Sequence, residues 1–319
     1  METLFKKYIL VLLLTFAVNI FSQEIKENNL NKEVKLGFYI DNIYNIDYIN
    51  SSYEIIFYMW ANSYYKYYPI NNVDIDKSVE VEKVFTEIDS IQTINGKKYN
   101  CFVKYKAKML NQMDISKYPF DKLNLKLYIE LLGHYKGEKN IFIDSKNSII
   151  KPVFIDKWNV DNTDFEIVTT RWPSNFGDIS HSDNSQLEAL NLNFSLSRNS
   201  WNLYWKMFLV LFISLFLASL NLFLPNKLSE EKFALIVGAL FTAIGNKYIT
   251  ESYLPFSDKI NLCDYLHIIT FIFISFYALY AIYEQRGNKK DSLRHDLKLF
   301  FITILTYFVS VVLITFYFM

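Results

Sequence analysis

The segment MDISKYPFDKLNL at residues 113–125 joins two extended runs and places a proline turn with two aromatic rings between carboxylates. Its residues of interest are Asp114, Tyr118, Pro119, Phe120 and Asp121. Arg198 closes the last predicted strand, directly ahead of the apolar C-terminal part of the chain. Taken alone, the segment is also compatible with an ordinary Pro-containing turn. Arg198 is likewise compatible with being one more basic residue at the membrane interface.

A second group of residues shares one face of a helix predicted from Glu231. Members of this face recur at spacings of three and four residues. They are Ala234, Gly238, Phe241, Gly245, Tyr248 and Ser252. Glu230 and Glu231 stand at the helix start, where carboxylates interact favourably with the helix dipole. On the helix alone, Ala234 and Gly238 are compatible with a small-residue packing face and Phe241 with a core.

Catalytic and metal chemistry has little support in this sequence. The strand region holds many carboxylates, but none forms a recognisable paired site, nucleophile elbow or metal motif. The chain has four histidines and two cysteines, Cys101 and Cys263, which lie in different regions and are not expected to pair. We therefore predict no enzyme, cofactor or metal site, and a membrane-anchored enzyme acting on surface polymers is disfavoured. The zero net charge argues against nucleic-acid binding.

Composition divides the chain into regions that must position these residues. It is 51% hydrophobic and 18% aromatic, yet residues 24–200 are polar and strand-like while residues 201–319 contain long apolar runs. At the N-terminus, Lys6 and Lys7 precede an apolar run, and Ser22 offers a small residue for cleavage. This pattern predicts a signal peptide at residues 1–22, with an uncleaved anchor helix as the alternative.

Residues 23–199 are predicted to form an extracellular β-sandwich. Short runs rich in β-branched and aromatic residues recur, and several alternate apolar with polar residues. One such alternation is Leu123, Leu125, Leu127 and Ile129. Asn95-Gly96 is typical of a hairpin turn between two strands. Many short strands without a convincing helix favour an all-β, immunoglobulin-like sandwich.

Residues 200–319 are predicted to form an all-α transmembrane domain of four helices. The predicted spans are about 203–225, 231–252, 262–284 and 297–319, of which the second is the least apolar. The linker at 284–298 is rich in lysine and arginine and is therefore placed in the cytoplasm. With four spans, the β-rich region lies outside. We expect a multi-pass cell-membrane protein whose N-terminal domain is extracellular or periplasmic.

With strands before it and four spans after it, the 113–125 segment fits the spacing D-x-x-x-[YF]-P-[FM]-D. The chain resembles the pentameric ligand-gated ion channels, the Cys-loop receptor family, in its prokaryotic type. The two bridging cysteines of that family would fall at Asn111 and Leu125, so the loop disulfide is absent. Four further positions match the pattern of that family: Arg198 before the first span, Pro225 after it, the pair Glu231-Lys232, and Pro255. Val210 replaces the proline usual in the first span.

The resemblance implies a homopentameric, cation-selective channel opened by an extracellular ligand or by protons. It makes Glu231 or the adjacent Glu230 a cytoplasmic ring that attracts monovalent cations. It places Phe241 at a hydrophobic gate and the rest of the helix face along the pore. It also implies gating contacts in which Tyr118-Pro119-Phe120 presses on the loop around Pro255. In the same account, Asp121 and Arg198 form a charge-assisted pair at the domain junction. Membrane lipid and further copies of the chain are the expected partners, together with a small-molecule agonist or protons.

The family binds agonists in an aromatic pocket between neighbouring sandwiches, where rings can hold an ammonium group. The implied residues are Trp172 and Phe176 in the capping loop, Tyr135 from another loop of the same subunit, and Tyr58 from the neighbouring subunit. In a chain this rich in tyrosine, each residue is also compatible with ordinary packing. A non-conducting membrane sensor or binding protein that keeps the channel fold is the alternative function.

Overall fold

The computed structural model describes residues 33–64, 70, 73–94, 96–135, 140–155, 157–171, 186–255, 260–286 and 293–319. The predicted signal peptide at 1–22 lies outside these residues. The described strands are β1 (Glu33–Asp47), β2 (Ser52–Ser63), β3 (Val73–Ile75), β4 (Ser78–Thr93), β5 (Gly96–Leu110), β6 (Leu123–Tyr135), β7 (Asn140–Ile143), β8 (Phe154–Ile155), β9 (Asn159–Arg171) and β10 (Gln186–Ser197). Four described helices follow them, so the predicted order of a β-rich region and then four helices is confirmed.

The described strands form two sheets. One has the order β4-β5-β2-β1-β7, with β8 also pairing to β1, and the other has the order β3-β6-β10-β9. Strands that are neighbours in these orders pair antiparallel, except that β7 and β8 run parallel to β1. The hairpin between β4 and β5 turns at Gly96, whose φ of 114° favours glycine. Asn95, the other residue of the predicted turn, lies outside the described residues.

The two sheets share one hydrophobic core. The predicted alternation in β6 is confirmed, because the four apolar residues that define it are all buried: Leu123, Leu125, Leu127 and Ile129. The ring of Phe38 in β1 meets that of Phe165 in β9, with centroids 5.1 Å apart. The Tyr53 hydroxyl of β2 donates a hydrogen bond of 2.6 Å to the Lys126 carbonyl of β6. Each sheet therefore buries one face against the other, as two-layer β structures do.

Within the described residues, four helices are long and apolar enough to span a membrane. They are α1 (Ser200–Ser219), α2 (Ser229–Glu251), α3 (Leu262–Arg286) and α4 (Leu293–Phe318). Helix α1 begins where the Asn199 side chain accepts the Asn202 N–H, at 3.4 Å, and it continues as a 3₁₀ turn at Leu220–Phe223. Helices α1 and α4 begin a few residues earlier than predicted, since apolar-run boundaries do not reveal a polar first turn.

Polar side chains between the helices form hydrogen bonds with one another inside the bundle. Helix α2 packs on both α1 and α3, and α4 packs on α3. The hydroxyls of Tyr277 and Thr303 lie 2.7 Å apart between α3 and α4, and those of Tyr204 and Thr315 lie 3.1 Å apart between α1 and α4. Such pairs suit a membrane interior, where an unpaired polar group is costly.

Candidate functional site

Asp121 and Arg198 form an ion pair where the β-rich region meets the helices. The Arg198 guanidinium donates to one carboxylate oxygen of Asp121, and the side chains are 13% and 3% exposed respectively. The Tyr48 hydroxyl donates a hydrogen bond of 2.5 Å to the other oxygen. Both carboxylate oxygens are thus engaged, which is what a buried charge requires.

Three aromatic rings surround the Arg198 guanidinium. Its central carbon lies 4.5 Å from the Tyr118 ring centroid, 4.7 Å from that of Trp158 and 5.3 Å from that of Tyr48. Cation–π attraction is stronger when the cation is withdrawn from water, as here. Burial raises the pKa of Tyr48 far above its ordinary value, and the Asp121 charge adds to this shift. Burial therefore favours the neutral form of Tyr48 beside the Asp121–Arg198 ion pair.

The 113–125 segment is a tight loop that rests on α1. The Asp114 carboxylate accepts the Ser116 N–H at 2.9 Å, and the Tyr118–Pro119 peptide bond is cis. The ring of Phe120 lies edge-on to that of Trp201, with centroids 5.1 Å apart, and Tyr204 lies 5.7 Å away. The first turns of α1 therefore receive the tip of the loop, a contact that the sequence had not predicted.

The loop after α2 reaches the same junction by a different route. Tyr118, Ser252 and Tyr253 line one cavity of about 850 Å³ together with Arg198 and residues of β1, β2 and α1. Pro255, the predicted contact of the 113–125 segment, is half-buried at the end of this loop. Tyr118, rather than Phe120, is thus the member of the segment that lies beside the α2–α3 connection.

Helix α2 has one buried and one exposed face. The buried residues, which pack on α1 and α3, are Lys232, Ile236, Ala239, Ala243, Asn246 and Thr250. The predicted pore face is the opposite one, and each of its members is exposed: Glu230, Glu231, Ala234, Gly238, Phe241, Gly245, Tyr248 and, just beyond the helix end, Ser252.

Packing among the described residues does not use the exposed face of α2. Phe241 and Tyr248 are 69% and 77% exposed. A Cβ added at Gly238 or Gly245 would meet no described atom within 4 Å. The alternative in which Phe241 belongs to this chain's core is therefore wrong. A face this large and apolar needs cover from lipid or from other copies of the chain.

Two polar networks fix the rotation of α2. The Lys232 ammonium lies 2.9 Å from the Glu284 carboxylate of α3, and the two side chains are 5% and 7% exposed. Near the other end, the Asn246 amide donates to the Met207 carbonyl of α1 at 2.8 Å, and its oxygen lies 3.1 Å from a His267 ring nitrogen of α3. The sequence prediction had placed Glu284 at the boundary between the third span and the linker, and the structure places it within α3. Charged residues at the ends of apolar segments are the signal that could have revealed this pair.

Only part of the predicted ligand site lies within the described residues. Tyr58 is on the outward face of the six-stranded sheet, where its ring stacks on Phe102 at 5.5 Å and the Lys104 ammonium lies 4.9 Å from its centroid. Tyr135 ends β6, but its side chain is outside the described part of the structure, as are Trp172 and Phe176. Among the described residues, no group of three or more His, Cys, Asp or Glu side chains could hold a metal ion.

No protein-family model matches the chain, and no curated protein matches it. Function is therefore inferred from the contacts at the junction and from the two faces of α2.

Proposed function

We propose that the chain is a subunit of a homopentameric, ligand-gated, cation-selective ion channel. The observation that carries this proposal is the exposed face of α2, which runs from Glu230 to Ser252 and has no packing role among the described residues. Five copies arranged around an axis would turn that face toward the axis and line a pore with it. The buried face of α2 remains fixed to α1 and α3 by Lys232 and Asn246.

Cation selectivity follows from charge at one end of this face. Glu230 and Glu231 are exposed in the first turn of α2. A ring of such carboxylates favours cations by direct electrostatics at a narrow opening. The connection between α3 and α4 carries Lys289 and Lys290, with Arg294 and Lys298 at the start of α4. This basic excess supports placing the end with the glutamates in the cytoplasm and the β-rich region outside.

Gating would couple movement at the Asp121–Arg198 junction to the pore-lining face of α2. Five Phe241 rings would close the path by dewetting. The Asp121–Arg198 pair and its aromatic cage connect the 113–125 segment, β1 and the start of α1. Phe120 presses on α1 while Tyr118 lies beside the loop after α2. A movement of the sheets would thus reach both α1 and α2.

The β-rich region would act as an immunoglobulin-like, ligand-binding sandwich. An agonist, either a small molecule or protons, would act between neighbouring subunits at Tyr58 of one and Tyr135, Trp172 and Phe176 of the next. Aromatic side chains in that arrangement suit an ammonium-bearing ligand.

The test is current through planar bilayers containing the purified protein, with asymmetric sodium chloride, pH steps and a panel of small amines. We expect currents that reverse near the sodium potential. Neutralising the two carboxylates together, as Glu230→Gln with Glu231→Gln, should abolish that selectivity. Glu251→Gln is the matched control, because Glu251 lies at the other end of α2 and pairs with Lys247 at 2.6 Å. Chloride-selective currents in the unaltered protein would overturn the proposal.

The second candidate function is a non-conducting membrane sensor that keeps the same fold. It is favoured by the size of the exposed Phe241 and Tyr248 side chains, since five copies of each would narrow a pore strongly. Ligand binding by a confirmed pentamer that stays silent, and that gains current on Phe241→Ala with Tyr248→Ala, would support this sensor.

A further inference from the structure

An aromatic floor lies on the outward face of the six-stranded sheet. Phe102 of β5 and Trp60 of β2 are cross-strand partners, and their rings stack with centroids 6.5 Å apart and planes 29° apart. Gly37 of β1 is the partner of Trp60 on its other side. A Cβ at Gly37 would lie 2.1 Å from the Trp60 ring, so only glycine lets the indole lie over β1. The missing side chain at Gly37 thus leaves the space in which the Trp60 ring packs on the backbone of β1.

Carboxylates stand on both sides of the aromatic floor. Glu87 of β4 is the cross-strand partner of Phe102, and Asp89 is the partner of Asn100 in the next row. Both are exposed, and neither side chain has a hydrogen bond or salt bridge to another described residue. Their charges are therefore available to a ligand.

Asp144 closes the opposite side of the floor. It is buried, accepts a hydrogen bond of 2.8 Å from the Asn147 amide, and lies 3.8 Å from the Lys35 ammonium. The pKa of Asp144 lies below its ordinary value, first because of the hydrogen bond from Asn147 and also because of one from the Trp60 indole. The same indole thus forms part of the floor and holds an ionised carboxylate at its edge.

These groups enclose a cavity of about 420 Å³. Its lining consists of Trp60, Phe102, Glu87, Asp89 and Asp144 with the amides of Asn62, Asn100 and Asn147. The described lining thus holds three carboxylates and two aromatic rings, and it includes no lysine or arginine. The ammonium of Lys104, one row of side chains away, lies over the Tyr58 ring and not in the cavity. A cation can therefore enter without displacing a basic side chain of the lining.

We propose that this cavity binds a small organic cation, an ammonium or guanidinium compound with an apolar body. The ring faces would hold the cationic head and its carbon substituents by cation–π and apolar contact, and Glu87 and Asp89 would complement its charge. A bare metal ion is less suited, because rings supply no oxygen ligands. The site lies within one chain and does not depend on the proposed channel activity, since binding is measured without current.

The experiment is calorimetric titration of the full-length protein in detergent with phenethylammonium, compared with neutral phenethyl alcohol. We expect the ammonium to bind and the alcohol to bind at least about fivefold more weakly. The paired change Glu87→Gln with Asp89→Asn should weaken ammonium binding by about fivefold or more. The matched control is Glu82→Gln, which lies on the same face of β4 opposite Lys106 and should leave affinity within about twofold.

Two outcomes would overturn the proposal. One is equal affinity for the ammonium and the alcohol, which would show that charge plays no part. The other is unchanged ammonium binding in the Glu87→Gln, Asp89→Asn protein but lost binding in Trp172→Leu, which would assign the ligand to the pocket between subunits. Both results leave the bilayer currents as a separate test, so this proposal and the channel proposal fail independently.

Discussion

The Lys232 ammonium and the Glu284 carboxylate, 2.9 Å apart and both buried, join the first turn of α2 to the last turns of α3. Lys232 also donates a hydrogen bond of 2.8 Å to the Asn226 side chain, which precedes α2. Since Glu230 and Glu231 lie beside Lys232 in sequence, this pair fixes the direction in which their carboxylates project from the helix.

Replacing Lys232 with Met should lower the free energy of unfolding by about 3 kcal/mol, because it leaves the Glu284 carboxylate buried without its partner. Chemical unfolding of the detergent-solubilised protein, followed by helical circular dichroism, measures this. The double change Lys232→Met with Glu284→Leu should recover most of the loss, since no buried charge remains.

Lys247→Met is the control for that prediction. Lys247 also pairs with acids, Glu251 at 2.6 Å and Asp264 at 3.1 Å, but it is about one-third exposed. Its loss should cost less than about 1 kcal/mol, because water screens the pair. Equal losses for Lys232→Met and Lys247→Met would contradict a special role for the buried pair.

Neutralising either member of the junction pair should impair gating or assembly. Asp121→Asn keeps the Tyr48 hydrogen bond but leaves the Arg198 charge in its aromatic cage, and Arg198→Gln leaves Asp121 buried and unpaired. The measurements are pentamer yield by size-exclusion chromatography and agonist-evoked current. Asp161→Asn, whose carboxylate accepts a hydrogen bond from Ser197 on the surface, is the control. Normal assembly and normal currents in both junction variants would contradict this role.

Phe120→Leu should weaken communication between the β-rich region and α1. The edge-on contact of Phe120 with Trp201 is worth about 1 kcal/mol beyond its apolar area, so the agonist concentration for half-maximal response should rise about threefold to tenfold. The same change at Phe142, an exposed ring of β7, is the control and should leave the response unchanged. A response unaffected by Phe120→Leu would show that this contact does not transmit the signal.

Stability should fall at alkaline pH in a manner that depends on Tyr48. Burial, with the Asp121 charge, raises the pKa of Tyr48 in the folded protein. The folded state therefore keeps a proton that the unfolded state loses above about pH 10, and stability that is present below that pH is lost as pH rises beyond it. The melting temperature of Tyr48→Phe should fall less steeply between about pH 9 and 11 than that of the unaltered protein. Tyr253→Phe, which removes an exposed hydroxyl, should leave the slope of melting temperature against pH unchanged. If Tyr48→Phe and Tyr253→Phe gave the same slope, the prediction would be contradicted.

Local patterns in the sequence were sufficient for the order of a β-rich region and four apolar helices, and for the buried face of β6. The alternation of apolar residues in β6 predicted which side chains enter the core, because successive strand residues point to opposite faces. Four apolar runs predicted four helices, and spacings of three and four predicted the face of α2 that carries Phe241. Periodicity alone left open whether that face packs inside the chain. The exposure of Phe241 and the open space at Gly238 answer this for the single chain.

The partners of those faces were decided only by the tertiary structure. The sequence suggested that Asp121 could meet Arg198, but Tyr48 and Trp158 enter the same cage from segments far away in the chain. Glu284 meets Lys232 across 52 positions, and Trp60 needs Gly37 beside it. A repeat of two or of 3.6 residues reports which side of an element is apolar, because it depends only on backbone geometry. It carries no record of which distant element will cover that side, since that depends on how all of the elements pack together.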